Sequence, residues 1–220
     1  TARALLRTQG ILAGSSSGTP HQRPISPVRP ISIVPFNPDN DKGIHRQNIA
    51  AAGTDPSTGG GRVVVLINGT SPALDIYGAG TPPALISCGA GPSQILAGQF
   101  KAGAPLSMRQ DLVTVNQTDQ TLSVLVNTFD PLDTTPDNTS VSLAPAVPYS
   151  LDAADGTPVA AVIADLDANG RDDIAVLAQG ASGGVIRVLR NDSQSAGGVS
   201  QVAFARLNLN ALSGVSSPFT

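Results

Sequence analysis

The stretch Ala164-Asp165-Leu166-Asp167-Ala168-Asn169-Gly170-Arg171-Asp172-Asp173-Ile174 decides how the whole chain is interpreted. It places oxygen-bearing side chains at 165, 167, 169 and 173, with a glycine at 170. In a Ca²⁺-binding loop, alternate side chains turn inward, one residue offers its backbone carbonyl, and a glycine permits the sharp turn. The spacing therefore predicts a calcium loop here, with residue 171 supplying the carbonyl.

The residues on either side of this loop predict strands rather than helices. The segments 159–163 and 174–177 are short and apolar, with Pro158 before the first and Gly180 after the second. Such short runs bounded by proline or glycine are typical of strands. A helix–loop–helix calcium hand would also need a glutamate at its twelfth position, where Val176 stands. The predicted unit is therefore strand, metal loop, strand.

The same unit recurs along the chain. The strand after the loop begins at Asn48, Asp111 and Asp173, which are 63 and 62 positions apart. The next strand ends in an asparagine, at Asn68, Asn127 and Asn191, which are 59 and 64 positions apart. A period of about sixty residues with variable loops is the mark of a repeat architecture. About four short strands per period predict an all-β protein built of β-propeller blades.

The repeats divide the chain into five parts. Residues 1–30 are predicted to hold the end of a preceding blade and a proline-rich connection. Three blade units follow, and an exit segment ends the sequence, at residues 31–80, 81–149, 150–207 and 208–220. Within the first unit, residues 72–77 are the predicted fourth strand.

Composition excludes several classes of function. With 40% apolar residues the 220-residue chain can build a core, but only 13% are charged and 3% aromatic. The net charge of −3 offers no basic footprint for nucleic acid. No apolar run reaches the ~20 residues that a membrane-spanning helix needs. The lone Cys88 is interpreted as a small packed apolar residue.

The segment 162–176, followed by 183–191, resembles the FG-GAP/VCBS repeat family. That resemblance implies blades of a propeller, usually seven-bladed, with calcium loops like those of integrin α-subunits. It implies that Asp165, Asp167, Asn169 and Asp173 are side-chain ligands and that Arg171 contributes its backbone carbonyl. Three units cover about half of such a ring, so we expect further blades of a longer chain, or other subunits, to complete it.

The corresponding loops of the other two units depart from this pattern. The first carries Asn37, Asp39 and Asp41 but has Pro35 where the first carboxylate belongs, so metal binding there stays an open alternative. The second has Gln99, Lys101 and Gly103 at the ligand positions, and an ammonium group in the cation's place argues against binding.

No catalytic constellation emerges from the sequence. The two histidines, His21 and His45, lie in polar or proline-rich segments without a recognisable partner. We therefore predict a non-enzymatic, Ca²⁺-binding propeller segment of an extracellular or cell-surface protein, with the periplasm as an alternative location. It would serve in protein interaction or adhesion, with glycan as a further candidate ligand, or as a structural subunit of an assembly. The alternative is the non-catalytic part of a secreted hydrolase or polysaccharide lyase.

Overall fold

The computed structural model describes residues 33–36, 48–66, 84–100, 110–128, 143–180, 183–196, 199–201 and 204–207. Throughout these ranges the regular structure is strand, and no helix occurs, which confirms the predicted all-β class. The strands are β1 (Ile33–Phe36), β2 (Asn48–Thr54), β3 (Gly61–Leu66), β4 (Ala84–Cys88), β5 (Pro92–Gly98), β6 (Asp111–Asn116), β7 (Thr121–Leu125), β8 (Val147–Ser150), β9 (Thr157–Ala164), β10 (Asp173–Gly180), β11 (Gly183–Asn191), β12 (Gln194–Ala196), β13 (Val199–Gln201) and β14 (Phe204–Leu207).

Twelve of these strands form three antiparallel sheets of four strands each. Sheet 1 has the order β1-β2-β3-β4, sheet 2 has β5-β6-β7-β8, and sheet 3 has β9-β10-β11-β14. The short strands β12 and β13 pair with each other between β11 and β14. Within each sheet the paired strands are consecutive in the sequence, except that β11 pairs with β14 across the β12–β13 pair.

The core lies between the sheets, and each sheet has two distinct faces. We call the face that packs on the next sheet along the chain the forward face, and the opposite one the rear face. The forward face of sheet 1 meets the rear face of sheet 2 in a cluster that includes Ala50, Ala52, Val63, Val65, Ile95, Leu112 and Leu125. The forward face of sheet 2 meets the rear face of sheet 3 through Val113, Val115, Leu122, Val124, Ala161, Ile174, Val176 and Leu189.

Polar and aromatic contacts add to this packing between sheets 2 and 3. The side-chain amide of Gln94 on β5 accepts the Ala161 N–H (2.7 Å) and donates to the Ala161 carbonyl (3.1 Å) on β9. The ring of Phe204 packs edge-to-face against Phe100 and Tyr149, with centroids 5.2 and 5.3 Å apart. Gln94 therefore satisfies the backbone of an edge strand that faces another sheet, where an unpaired amide would be costly.

The sheets divide the chain differently from the predicted units at one boundary. β4 pairs with β3, from Gly61↔Cys88 to Val65↔Ala84, so the first sheet extends to Cys88 rather than to residue 80. The predicted fourth strand at 72–77 lies outside the described residues, as do the segments 1–30 and 208–220. A repeating strand pattern gives the spacing of modules but not the strand at which one module ends.

The predicted ring is not seen in the described part of the chain, where three stacked sheets leave two outer faces. The blade arrangement and the number of blades therefore stay predictions. Among the residues that the structure places, no helix has the length and apolar character needed to span a bilayer.

Candidate metal centre

The acidic loop connects β9 to β10 and brings three carboxylates together. Asp165 and Asp167 follow the end of β9 and are exposed, whereas Asp173 begins β10 and is buried. One carboxylate oxygen from each of the three lies within 4.8 Å of the other two. The strand pairing that closes the loop, Asp173↔Ala164, holds its two ends side by side. The sequence prediction that these three side chains converge therefore agrees with the geometry.

Backbone amides inside the loop fix the position of the first carboxylate. The Asn169 N–H donates to Asp165 Oδ1 (3.0 Å) and Asp167 Oδ1 (3.2 Å), and the Gly170 N–H donates to Asp165 Oδ2 (2.8 Å). The Arg171 N–H donates to Asn169 Oδ1 (2.9 Å). Such bonds from N–H groups to acidic side chains offset part of the repulsion between neighbouring carboxylates.

The loop backbone adopts left-handed conformations at two positions. Ala168 has φ = 59° and Gly170 has φ = 79°. Glycine adopts this conformation at little cost, while alanine does so only when its surroundings impose it. The tight turn expected at Gly170 is therefore present, and the strain at Ala168 is offset by the hydrogen bonds on either side of it.

Asp173 has a second role, which is to hold backbone groups in place. It is 1% exposed, and its Oδ1 accepts the Asn191 N–H (2.7 Å) while its Oδ2 accepts the Leu166 N–H (2.9 Å). The side chain of Asn191 in turn donates to the Asp172 carbonyl (3.0 Å). This arrangement, which we call the Asp–Asn brace, ties the loop and the end of β11 to the start of β10.

The same brace recurs in sheet 2. Asp111 Oδ1 accepts the Asn127 N–H (2.7 Å), and Oδ2 accepts the Phe100 N–H (3.1 Å). The Asn127 side chain donates to the Gln110 carbonyl (3.4 Å). Asp111 was interpreted from sequence as a turn or strand-start residue, and it opens β6. A buried aspartate at this position of the repeat thus braces backbone amides whether or not an acidic loop precedes it.

A bidentate ion pair lies close to the acidic loop. Arg190 binds Asp192 through Nε–Oδ1 (2.7 Å) and Nη2–Oδ2 (2.9 Å). This contact with Asp192 raises the pKa of Arg190, with smaller contributions from the charges of Asp167 and Asp173. The hydrogen bond from Arg190 also holds the pKa of Asp192 below its ordinary value. The guanidinium is therefore held by Asp192, and its charge lowers the negative potential at Asp167 and Asp173.

The other predicted ligand positions divide into two groups. Asn37, Asp39 and Asp41 lie outside the described residues, as do Lys101 and Gly103. Gln99 is described, and its backbone binds Asp172 of sheet 3: its N–H donates to Asp172 Oδ2 (2.7 Å) and its carbonyl accepts the Asp172 N–H (3.0 Å). In this unit, the strand end before the loop position is therefore part of the contact between sheets.

Three polar residues in this region have structural roles that the sequence did not predict. Asn127 and Asn191 were noted as markers of the repeat, but their role in the brace was not predicted. Their recurrence together with Asp111 and Asp173 was the available signal. Asp172 was not assigned a role, because its partner Gln99 is distant in sequence.

An open cleft of about 750 Å³ lies next to β4, between sheet 1 and sheet 2. The residues that line it are Leu85, Ile86, Ser87, Cys88, Gly89, Asp119, Thr121, Ser123, Leu143, Pro145, Ala146 and Pro148. Burial raises the pKa of the Cys88 thiol to about 11. The thiol is therefore protonated near neutral pH and suits the packing role predicted for it. Both histidines lie outside the described residues.

The donor set of the acidic loop suits a hard cation. Ca²⁺ prefers oxygen ligands, and the loop offers three carboxylates and the amide oxygen of Asn169. Backbone carbonyls and water would bring the total to the six to eight oxygens, at about 2.3–2.6 Å, that the ion takes. Asp173 can bind a cation only while it also holds two backbone amides, and each carboxylate oxygen has a second lone pair for that purpose. The residues present therefore fit Ca²⁺.

Comparisons with models of known protein families, with curated proteins and with solved structures find no match for this chain.

Proposed function

We propose that this chain is a non-enzymatic module of stacked β-sheets whose third sheet is clamped by Ca²⁺ at the loop between β9 and β10. The observation that carries the proposal is the convergence of Asp165, Asp167 and Asp173 within 4.8 Å. Asn169 and the carbonyl of Arg171 would complete the protein ligands. We place the module in an extracellular or cell-surface protein, because millimolar calcium is an extracellular condition.

The bound ion would act as a structural clamp. Without a cation, the carboxylates repel each other by roughly 1 kcal/mol per pair, depending on the local dielectric. Two of them follow β9 and the third begins β10, so an ion held by all three would join the ends of two strands. A ligand that binds only the folded state stabilises it by about 2.7 kcal/mol at a hundredfold excess over its Kd.

The sequential strand order within each sheet, and the stacking of each forward face on the next rear face, support the propeller-blade interpretation. In this arrangement each sheet would be one blade, and the clamped loop would join the first two strands of its blade. Protein contact through the outer faces and loops is the role we propose for the module.

The proposal is tested by thermal unfolding in calcium and in EDTA. We expect the wild-type melting temperature to fall in EDTA and the Asp165→Asn variant to melt at one temperature in both conditions. Asn keeps the acceptor oxygen and the side-chain volume but removes a charge from the ligand set. The matched control is Asp152→Asn, which removes an exposed carboxylate just before β9 and outside the loop. That control should respond to EDTA as the wild type does.

A wild-type protein whose melting temperature and calcium titration by calorimetry show no response to the ion would refute the proposed clamp. The calorimetric titration serves as a second readout, because it reports binding even where the change in stability is small.

A further inference from the structure

The asparagines that the structure describes divide by burial. Four of the five are no more than 1% exposed, namely Asn48, Asn116, Asn127 and Asn191. The fifth, Asn169, is exposed in the loop between β9 and β10, and it alone among the five is followed by a glycine, Gly170. Asparagine is one of the chemically labile residues of proteins. Asn169 therefore combines access to solvent with a following peptide nitrogen that no side chain hinders.

The side-chain amide of Asn169 is held against the Gly170 peptide. Its Oδ1 accepts the N–H of Arg171, two residues further on, at 2.9 Å. Because this hydrogen bond closes a turn around Gly170, it brings Cγ of Asn169 toward the Gly170 nitrogen. The Arg171 N–H also polarises the amide, since it is placed to stabilise negative charge that develops on Oδ1.

The Gly170 nitrogen is accessible as well as close. Gly170 is exposed, its φ is 79°, and a Cβ added to it would meet no heavy atom within 4 Å. Its N–H donates to Asp165 Oδ2 at 2.8 Å, and a charged acceptor increases the electron density on the nitrogen. The loop thus places an electron-rich nitrogen beside a polarised amide carbon at the protein surface.

We propose that Asn169–Gly170 is a site of spontaneous deamidation, and that the folded loop promotes the reaction. The Gly170 nitrogen attacks Cγ of Asn169 and its proton passes to a solvent base, while the side-chain nitrogen takes up a proton and leaves as ammonia. Water then opens the resulting cyclic imide at either carbonyl, which gives aspartate or isoaspartate. Nothing is oxidised or reduced, and the reaction needs no metal ion.

The two products change the loop in different ways. Aspartate at position 169 adds a fourth carboxylate to a loop in which the backbone N–H of this residue already contacts Asp165 and Asp167. Isoaspartate routes the main chain through the side chain and lengthens it by a carbon, so the turn closed by the Arg171 N–H is lost. Either product is a slow, irreversible modification whose extent follows the age of the protein.

The test is incubation of the full chain in EDTA at neutral pH, followed by peptide mapping with mass spectrometry. The mapping detects the mass gain of an amide that becomes an acid and separates the two products. A synthetic peptide of residues 164–174 in the same buffer is the reference, because the same sequence reacts there without the fold. We expect Asn169 to convert at least as fast in the protein as in the peptide, while Asn116, Asn127 and Asn191 stay intact.

Two variants test the chemistry of the site. Asn169→Gln should abolish the conversion, because the longer side chain would have to close a larger ring. Gly170→Ala should slow it, because the added methyl group crowds the attacking nitrogen. The loop should accept alanine at 170, since Ala168 in the same loop already has φ = 59°.

Gly59→Ala is the matched control, because Gly59 also has a positive φ, 73°, and equally open surroundings but lies in the turn between β2 and β3. Conversion of Asn169 should be unchanged in this variant, and circular dichroism confirms that every variant is folded before incubation. Conversion of Asn169 more slowly in the protein than in the peptide would overturn the proposal. Equal rates for Gly170→Ala and the wild type would overturn it too.

Discussion

Asparagine substitutions at Asp111 and Asp173 should separate the contribution of the Asp–Asn brace from that of the proposed metal site. The two carboxylates are each 1% exposed and each accept two backbone N–H groups, at 2.7 and 3.1 Å and at 2.7 and 2.9 Å. Asparagine keeps one acceptor oxygen but turns an NH₂ group toward the second donor. Hydrogen bonds to a charged group contribute about 1.5–3 kcal/mol, so each substitution should lower the free energy of unfolding by about 2–4 kcal/mol in EDTA.

Calcium should then stabilise the Asp111→Asn variant but not the Asp173→Asn variant. In calcium, the free energy of unfolding of Asp173→Asn should therefore fall further below that of the wild type, by the stabilisation that the ion gives, about 2.7 kcal/mol at a hundredfold excess of free ion over Kd. Asp111→Asn should keep the full stabilisation by calcium that the wild type shows. The free energies come from urea unfolding followed by circular dichroism, with equal m-values as the condition for comparing variants.

Two outcomes would contradict this reasoning. Equal losses for Asp173→Asn in calcium and in EDTA would mean that Asp173 braces the backbone without binding the ion. A loss well below 1 kcal/mol for Asp111→Asn would mean that the brace contributes little, because the amides it holds find other partners.

Three further predictions concern the buried Asp155 and the cleft residue Cys88. Asp155 has a fully buried side chain that pairs with Arg187, which is 27% exposed, so Arg187→Met should cost about 3 kcal/mol by leaving a buried charge. Adding Asp155→Asn should recover part of that loss in urea unfolding, whereas a loss that grows additively would contradict the pairing. The pKa of Cys88, raised by burial from 9.0 to about 11, should slow its reaction with a disulfide reagent at pH 8 about a hundredfold relative to the protein unfolded in urea. Because the raised pKa favours the neutral thiol of the folded state, the stability it contributes should be lost as pH rises from about 9 to 11, by about 3 kcal/mol relative to Cys88→Ala.

The sequence predicted the fold class because the strand signal is local and repeated. The apolar runs that became β2, β3, β6, β7, β10 and β11 recur at matching distances from an asparagine or aspartate. Which sheet receives β4 was not predictable in the same way. Spacing fixes the length of a repeat but not its phase, and the pairing of β4 with β3 depends on the whole length of both strands.

The convergence of Asp165, Asp167 and Asp173 was predictable because the three residues lie within a stretch of nine. Its spacing alone requires the carboxylates to converge once the flanking strands pair. The double role of Asp173 was not predictable from that spacing, because one of its partners is 18 residues away on β11. The Asp–Asn brace becomes visible only when sheets 2 and 3 are compared in three dimensions.

The position of Asn191 shows why a clamp in the loop would act beyond the loop. Its N–H binds Asp173, while its side chain donates both to the Asp172 carbonyl and to the carbonyl of Phe100, 2.9 Å away in sheet 2. Asp172 in turn binds the backbone of Gln99 in that sheet. Any ion that fixes Asp173 therefore also fixes the residues through which sheets 2 and 3 are hydrogen-bonded. Loss of the ion would weaken the contact between the sheets as well as the connection between β9 and β10, because one asparagine belongs to both.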